Sequence, residues 1–575
     1  MRNALTAIAN TLPHFKRKEV PLIRPRKVEH FINRKNELTQ LLNDLKSGRI
    51  VTLCGPGGVG KSALASKVLW ILAPGDKAPK NFPDGIIWHD FYTEPRSSIF
   101  FEKIAKIFNE ESLPTPIEAA QKILANKKML LLLDGAEDAD DLRMILDITD
   151  SCCVLVTSRQ KKDAVAVRQD IESLSHDQAV NLLQSWAGKQ NIKVMEKICK
   201  LVGCLPLAVR LIGKYLYETG EDAIEYLEWI EDTPLDALNQ GNRKIESVPI
   251  LLHKSFSQIS INSVEILSIT GLLAFDSFSS DLIVSVLPEI KNIKRSLNEL
   301  VNFGILNRSK DRFQISHALI HTYVRHNNKL TKEMIKKVSE YFNSFTRKHS
   351  KNGTRGYTKI DQELVHIMKI LTECKKMMIW ESAIKLVWSV NMYLNMKGLF
   401  TELNISLRIG IEAAQKLNNR RDEAALIGNI GCNFYSYGLI DKAIEHYVQA
   451  LSINKEIGNK HGETIWLSNI GLAYLKLGKI DKSIEFYEKS LSISKKISDI
   501  QGEGETLGSI GLAYHLLGYE EDAIQYYEQA LTISRETLNK RNESNWLGNL
   551  GNAYRDIGQL YKAINYHKMA LSKRS

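Results

Sequence analysis

The chain has 575 residues, more than one hydrophobic core supports, so several domains are expected. Its 44% hydrophobic and 25% charged residues are ordinary for a soluble globular protein, and no apolar run approaches the ~20 residues of a membrane-spanning helix. We therefore expect a cytoplasmic protein without a membrane segment. Its seven scattered cysteines are expected to be free thiols rather than zinc ligands.

The net charge of +11 is concentrated in two segments. Residues 1–50 hold 11 Lys/Arg and 4 Asp/Glu, a balance of +7, and residues 301–380 hold 16 and 6, a balance of +10. A basic patch can attract nucleic acid, whereas basic residues spread over helix faces only keep a surface hydrated. Nucleic-acid binding stays open but is not favoured, because no basic groove with interleaved aromatic residues accompanies the charge.

Residues 50–69 have the pattern of a strand, a glycine-rich turn and a helix. Glycines let backbone N–H groups turn toward an anion, and the N-terminus of the following helix attracts the same phosphates. Lys61 is expected to reach the β- and γ-phosphates, and the Ser62 hydroxyl to hold Mg²⁺. The predicted nucleotide-binding residues of this phosphate loop are Gly55, Pro56, Gly57, Gly58, Val59, Gly60, Lys61, Ser62 and Ala63.

Apolar runs at 129–133 and 154–156 are too short for helices and alternate with helical segments. This alternation predicts an α/β fold with a parallel sheet, whose ligand lies at the carboxyl ends of the strands. Asp134 ends the first run, and we expect its carboxylate to bind Mg²⁺ together with Ser62, directly or through water.

Three more charged residues follow these two strands. Either Glu137 or Asp138 is expected to orient or deprotonate the attacking water, unless both are ordinary polar loop residues. Arg159 ends the second run, where a guanidinium can contact the γ-phosphate; a surface arginine is the alternative.

The pattern becomes helical from about residue 174, and residues 304–315 have the pattern of the hairpin of a winged helix. The last section repeats with a period of forty residues, in which Gly428 is followed at the same step by Ser468, Gly508 and Gly548. Small residues let two helices approach closely, and aromatic residues fill the space between neighbouring pairs. Four such pairs predict an all-α solenoid, preceded by one degenerate unit.

Together these segments resemble the STAND-class signalling ATPases of the NB-ARC type, followed by tetratricopeptide repeats. The resemblance is carried by the phosphate loop, the run 130–138 ending in acidic residues, Thr157-Ser158-Arg159 and the segment 203–208. It implies that Pro206 packs on adenine and that His317 contacts the phosphate of ADP, although a structural histidine is the alternative because Ala318 replaces the family's acid. It also implies bound ATP or ADP with Mg²⁺.

The resemblance implies a multidomain chain in which an α/β P-loop NTPase with helical and winged-helix domains precedes a tetratricopeptide solenoid. The expected segments are a basic extension (1–28), the nucleotide-binding domain (29–173), a helical domain (174–240), a winged-helix-like domain (241–328), a helical linker with a degenerate repeat (329–418) and four 40-residue repeats (419–575).

The expected function is a slow ATPase that serves as a switch in bacterial defence or regulation. By the resemblance, the repeats sense a protein trigger or effector, and exchange of ADP for ATP opens the chain and drives homo-oligomerisation. Two alternatives remain open: a transcriptional regulator that acts on DNA directly or through a partner, and a repeat adaptor without ATP turnover.

Overall fold

The computed structural model describes residues 20–574, except for 33, 46–48, 111–114, 150, 233–246 and 328–330. Most of the predicted basic extension and the predicted border near residue 240 lie outside the described residues. The chain forms two compact units: Met1–Tyr341 with Lys359–Ile370, and Phe342–Thr358 with Leu371–Ser575.

The first unit opens with a five-stranded parallel sheet in the order β2-β3-β4-β1-β5. Its strands are β1 (Ile50–Cys54), β2 (Ile86–Asp90), β3 (Leu130–Asp134), β4 (Cys153–Ser158) and β5 (Val167–Asp170). The helices between and before them are α1 (Lys35–Asp44), α2 (Lys61–Leu72), α3 (Ser97–Ile107), α4 (Pro116–Leu124) and α5 (Leu142–Leu146).

The two apolar runs of the sequence form the centre of this sheet. Every residue of β3 and β4 is buried, as expected for parallel strands that helices cover on both faces. Because β4 lies between β1 and β3, the ends of these three strands bring the phosphate loop, Asp134 and Arg159 to one edge of the sheet.

The segment that precedes α1 lies along the free edge of β2. Leu22 forms a parallel bridge with Ile86, and the backbone groups of Pro21 and Ile23 bond to Ile86 at 2.8 Å each. Gly85 accommodates this approach, since a Cβ on it would overlap the carbonyl of Pro21. The residues from Val20 onward therefore belong to the sheet's packing, which no sequence pattern predicted.

A group of four helices follows the sheet: α6 (His176–Ala187), α7 (Ile192–Leu201), α8 (Pro206–Thr219) and α9 (Ala223–Asp232). Ser175 caps α6 in a capping box, in which its hydroxyl accepts from the backbone of Gln178 and the Gln178 side chain accepts from the backbone of Ser175. Pro206 occupies the first turn of α8, where a missing N–H costs nothing.

The next part combines helices with a three-stranded antiparallel sheet in the order β6-β8-β7, the arrangement of a winged-helix domain. Its hairpin lies where the sequence predicted it. The elements are α10 (Ser247–Gln258), α11 (Ile261–Leu272), β6 (Phe278–Ser279), α12 (Ser280–Val286), α13 (Ile293–Asn302), β7 (Leu306–Ser309), β8 (Arg312–Ile315) and α14 (Ala318–Asn327).

Two long helices, α15 (Lys332–Ser350) and α16 (Gly353–Lys376), contribute residues to both units. The second unit continues as a succession of helix pairs. The pairs are α17 (Trp380–Met396) with α18 (Phe400–Lys416), α19 (Arg420–Ser436) with α20 (Ile440–Glu456), α21 (Lys460–Lys476) with α22 (Ile480–Lys496), α23 (Ile500–Leu516) with α24 (Glu520–Glu536), and α25 (Lys540–Asp556) with α26 (Leu560–Arg574).

Small and aromatic residues of the repeat meet as the sequence pattern predicted. Within a pair, the ring of Tyr447 packs on Gly431, where an added Cβ would lie 2.7 Å from it. Between pairs, a Cβ on Gly428 would overlap the ring of Trp466, which is 7% exposed. The glycines therefore admit large rings into the core of the solenoid.

Candidate nucleotide-binding site

The phosphate loop connects β1 to α2. Gly60 precedes α2 with a φ of 98°, a left-handed conformation that glycine adopts without strain. The Lys61 amine donates to the carbonyl oxygens of Gly55 at 2.7 Å and Pro56 at 3.1 Å, inside its own loop. Burial lowers the pKa of Lys61 to about 8. A phosphate that enters the loop would therefore stabilise the charged form of this amine.

Ser62 and Asp134 lie together, as the sequence predicted. The Ser62 hydroxyl donates to Asp134 Oδ1 at 2.7 Å, and the Thr157 hydroxyl donates to the same oxygen. Burial raises the pKa of Asp134, while these two hydrogen bonds oppose that shift. A hydroxyl and a carboxylate are hard oxygen donors, so the pair fits Mg²⁺, and the ion's role here stays a prediction.

Glu137 lies beside Arg159 at the same edge of the sheet. Arg159 Nε forms an ion pair with Glu137 Oε1 at 2.9 Å, and the backbone N–H of Arg159 donates to Oε2 at 3.0 Å. Tyr92, which sequence reasoning missed, donates its hydroxyl to Glu137 Oε1 at 2.7 Å. Asp138 is exposed, whereas the Glu137 side chain is buried; which of the two acts on the attacking water stays a prediction.

The helical and winged-helix parts cover the phosphate loop. Pro206 Cγ would lie 3.8 Å from a Cβ on Gly60, and Leu207 Cβ 3.2 Å from one on Gly58. The backbone N–H of Leu207 also donates to the Gly58 carbonyl at 3.3 Å. These contacts place Pro206 at the phosphate loop; its predicted packing on adenine stays a prediction.

The winged-helix part covers the loop through the residues that precede and begin α14. Leu319 would lie 3.2 Å from a Cβ on Gly57, and its backbone N–H donates to His317 Nδ1 at 3.1 Å. Burial and the neighbouring Arg210, Arg159 and Lys61 lower the pKa of His317 to about 3. The imidazole is therefore neutral near pH 7 and is surrounded by cations, a setting that suits a phosphate group.

Two arginines of the site, the buried Arg34 and the partly buried Arg210, were not predicted as site residues. Arg34, which precedes α1, donates to the carbonyls of Val59 and Glu172 at 2.9 Å each, and so connects the phosphate loop to the segment after β5. Arg210 on α8 donates to the Asn307 side chain at 3.1 Å, and so connects the helical part to β7. No local sequence pattern indicated either of these connections.

Asp90 was also missed. It pairs in register with Asp134 across β2 and β3, and burial together with Asp134 raises its pKa to about 8. Its carboxylate accepts from the Tyr92 backbone at 3.0 Å. The available signal was the position of Asp90 at the end of a strand next to β3.

The parallel sheet, its phosphate loop and the adjoining Ser62–Asp134 pair define the class: a P-loop nucleotide-binding protein. Family models agree with this class and refine it, since the NB-ARC domain matches residues 32–193 and the tetratricopeptide repeat matches 422–496, 463–536 and 502–574. The chain therefore carries an NB-ARC domain and a C-terminal tetratricopeptide array, as its sequence indicated.

Curated proteins of two kingdoms are similar to this chain. The regulatory protein AfsR of Streptomyces coelicolor is 24% identical over 302 residues, covering 48% of this chain and 30% of AfsR. Disease resistance protein RML1A of Arabidopsis thaliana is 22% identical over 324 residues, covering 52% of this chain and 31% of RML1A. The chain thus spans less than a third of the length of these relatives.

Among solved structures, the STAND protein with a tetratricopeptide repeat sensor from Pyrococcus horikoshii is similar at 16% identity and a TM-score of 0.39. The alignment covers 97% of this chain and 90% of that one. In the part of the chain that the structure describes, no helix combines the length and apolarity needed to cross a membrane.

Proposed function

We propose that this chain is a nucleotide-controlled signalling ATPase whose repeats bind a protein trigger. The observation that carries the proposal is the cover over the phosphate loop: Leu207 of α8 and Leu319 of α14 pack on its glycines. Phosphates that occupy the loop then touch three parts of one unit. Entry and release of nucleotide require at least one of these covering helices to move.

The charges at the loop support a closed ADP state. Four side chains surround the place where α14 meets the loop: Lys61, Arg159, Arg210 and His317. The first three favour an anion there through their positive charge, and the neutral imidazole of His317 favours it through an N–H. A diphosphate between them ties the winged-helix part to the sheet. ATP adds a third phosphate, which must displace Arg159 from Glu137 in order to pair with it.

The catalytic groups are present but paired with each other. Ser62 and Asp134 are the residues that would hold Mg²⁺, which supplies charge neutralisation to the phosphates when bound. Glu137 is the candidate base that takes a proton from the attacking water. Because Arg159 and Tyr92 both hold Glu137 in this structure, slow turnover is the expected behaviour as long as the winged-helix part covers the loop.

The repeats are the proposed sensor. Helix pairs that contact only their neighbours present an extended surface, which suits binding of a protein trigger or effector. Binding would favour the open state, and the surfaces released from the loop would then be free for homo-oligomerisation.

A nucleotide titration tests the loop's role. Fluorescent ADP and ATP analogues are added to the parent chain, to Lys61→Ala and to Lys122→Ala, which removes an exposed lysine of the same domain. The parent and Lys122→Ala are expected to bind equally, and Lys61→Ala to lose at least about tenfold in affinity, because a charge-assisted contact to phosphate is removed. Equal affinity in all three chains would refute the proposed site.

A second candidate, regulation through DNA, is favoured by one basic surface of the winged-helix part. On α13, Lys294, Arg295 and Asn298 are exposed, and Arg308 and Lys310 of the adjacent hairpin are exposed as well. The relative AfsR is named a regulatory protein. A helix beside a hairpin, both basic, has the shape and charge that fit a DNA groove and its phosphates.

Fluorescence anisotropy with duplex DNA separates the two candidates. Binding that weakens steeply with salt and is lost in the double variant Lys294→Glu, Arg295→Glu would support DNA recognition. Absence of binding at low salt would remove this candidate and leave the first one untouched.

A further inference from the structure

Tyr92 occupies the turn that follows β2, next to the candidate catalytic acid. Its backbone N–H donates to Asp90 Oδ1 at 3.0 Å, which fixes the turn. Its ring lies on Gly135, where an added Cβ would be 2.7 Å from the ring. Gly135 also has a φ of 77°, so both its backbone and the ring above it require glycine.

The Tyr92 hydroxyl completes the set of donors around Glu137. It donates to Oε1 at 2.7 Å, while Arg159 supplies an ion pair to the same oxygen and a backbone N–H to the other. The guanidinium of Arg159 also lies 5.3 Å from the centre of the Tyr92 ring. With its side chain 5% exposed, Glu137 has little room to receive a water molecule in this arrangement.

The opposite edge of the Tyr92 ring meets the winged-helix part. Its centre lies 6.4 Å from that of Phe275, with the two rings at 89°. The neighbouring Thr93 hydroxyl donates to the Phe275 carbonyl at 2.8 Å. Behind Phe275, the ring of His321 lies 5.8 Å away, so α14 supports this contact.

We infer that Tyr92 is a positioning residue that makes ATP hydrolysis depend on the place of the winged-helix part. While Phe275 packs against it, Tyr92 keeps its ring on Gly135 and its hydroxyl on Glu137, and Glu137 stays paired with Arg159. When the winged-helix part moves away, the ring loses this support. Glu137 then accepts the proton of the attacking water, and Arg159 is released to the γ-phosphate.

The inference rests on the proposed nucleotide function and adds a second contact through which the winged-helix part controls hydrolysis. Both covering parts touch the phosphate loop itself, but Tyr92 gives the winged-helix part a second connection, to the acid instead of the phosphates. While the winged-helix part stays in place, Glu137 therefore remains paired with Arg159, and hydrolysis starts only after that part has moved away.

Four chains test this coupling: the parent, Tyr92→Phe, Phe275→Ala and the double variant. Tyr92→Phe keeps the ring but removes the hydroxyl, so kcat for ATP hydrolysis is expected to rise about tenfold with KM unchanged, the size expected for one hydrogen bond to a charged group. Phe275→Ala is expected to raise kcat similarly. The double variant should be no faster than the faster single variant, because both changes release the same acid.

Controls separate this coupling from general loosening. Phe256 forms a comparable ring pair with Tyr323 of α14, at 5.5 Å, so Phe256→Ala, which removes a ring from the same part but leaves the Tyr92–Phe275 pair intact, should leave kcat unchanged. Phe275→Tyr, which keeps the ring, should behave like the parent. Thermal unfolding of each variant confirms that it is folded.

Each outcome has a definite meaning. An unchanged or lower kcat in Tyr92→Phe, or rate effects of the two single changes that multiply, would overturn the inference. A parent that binds ATP without turnover should gain turnover in Tyr92→Phe, and failure to gain it also overturns the inference. If the parent binds no nucleotide, or Lys61→Ala binds it equally well, the proposed function itself fails.

Discussion

At the residue scale, Lys61 determines how phosphate binding responds to pH. The buried amine donates to carbonyls of its own loop, and its pKa is lowered to about 8. Phosphates would stabilise the ammonium and raise that pKa in the complex. Protonation and nucleotide binding are therefore expected to be linked at this side chain.

The direction of this pH dependence follows from the pKa of Lys61 in the free chain and its higher pKa in the nucleotide complex. Well below pH 8 the amine is charged with and without nucleotide, so it contributes no pH dependence there. Above pH 8 the free chain loses the proton and the complex keeps it, so binding takes up a proton and affinity falls as pH rises. Calorimetry at about pH 9 in two buffers of different ionisation enthalpy should show uptake of up to about one proton.

The matched control for this measurement is Lys61→Arg. A guanidinium stays charged throughout this range, so its complex should form without proton uptake from this position. Proton release on binding to the parent, or uptake of the same size in Lys61→Arg, would contradict the assignment of the linked proton to Lys61.

Sequence reasoning reached the site residues that belong to contiguous motifs and missed those that the fold brings in. Lys61 and Ser62 begin the helix after the phosphate loop, and Asp134 ends β3, so the topology of a parallel sheet predicted their meeting. Tyr92 and Arg210 reach the site through contacts between distant segments, and no local pattern encodes those contacts. Gly135 follows Asp134 in the sequence, but the reason for a glycine there, the ring of Tyr92, could not be read from the sequence.

At the element scale, the strands with the strongest apolar runs were predictable and the polar edge was not. β5 has the sequence Val-Arg-Gln-Asp and pairs only with β1, so it shows neither a buried run nor clear alternation. The segment from Val20 that lies along β2 has no periodic pattern either. Both cover edges of the sheet, where tertiary packing outweighs local preference.

In the repeat helices, by contrast, tertiary contacts were predictable, because the period of forty residues indicates which small residue meets which large one. Gly428 and Gly508 lie under Trp466 and Trp546, whereas Gly548, at the equivalent position, has no heavy atom of the described chain within 4 Å of an added Cβ. The same substitution at 428 and 548 should therefore act in opposite directions.

Gly428→Ala is expected to destabilise the chain by about 1–3 kcal/mol, because the methyl group displaces a buried tryptophan ring. Gly548→Ala is expected to stabilise it by about 0.5–1 kcal/mol, since alanine is the better helix former and finds open space. Denaturant unfolding of both variants beside the parent measures the two effects. Destabilisation of similar size at both positions would contradict the packing described here.

At the scale of the whole molecule, composition and repeats predicted a multidomain chain, and the family matches agree with an NB-ARC domain joined to tetratricopeptide repeats. What the sequence left open is how the parts of the first unit meet. In the structure these parts meet at the phosphate loop, where Leu207 and Leu319 pack on neighbouring glycines. This meeting depends on three segments far apart in the chain, beyond the reach of local sequence patterns.

We propose that a nucleotide bound at this loop lies beneath the helical and winged-helix parts. The most direct test is to purify the chain without added nucleotide, denature it and quantify the released nucleotide by chromatography, with Lys61→Ala treated in parallel. We expect close to one ADP per parent chain and little from Lys61→Ala. A parent chain that releases no nucleotide, and whose melting temperature does not respond to added ADP or ATP with Mg²⁺, would contradict it.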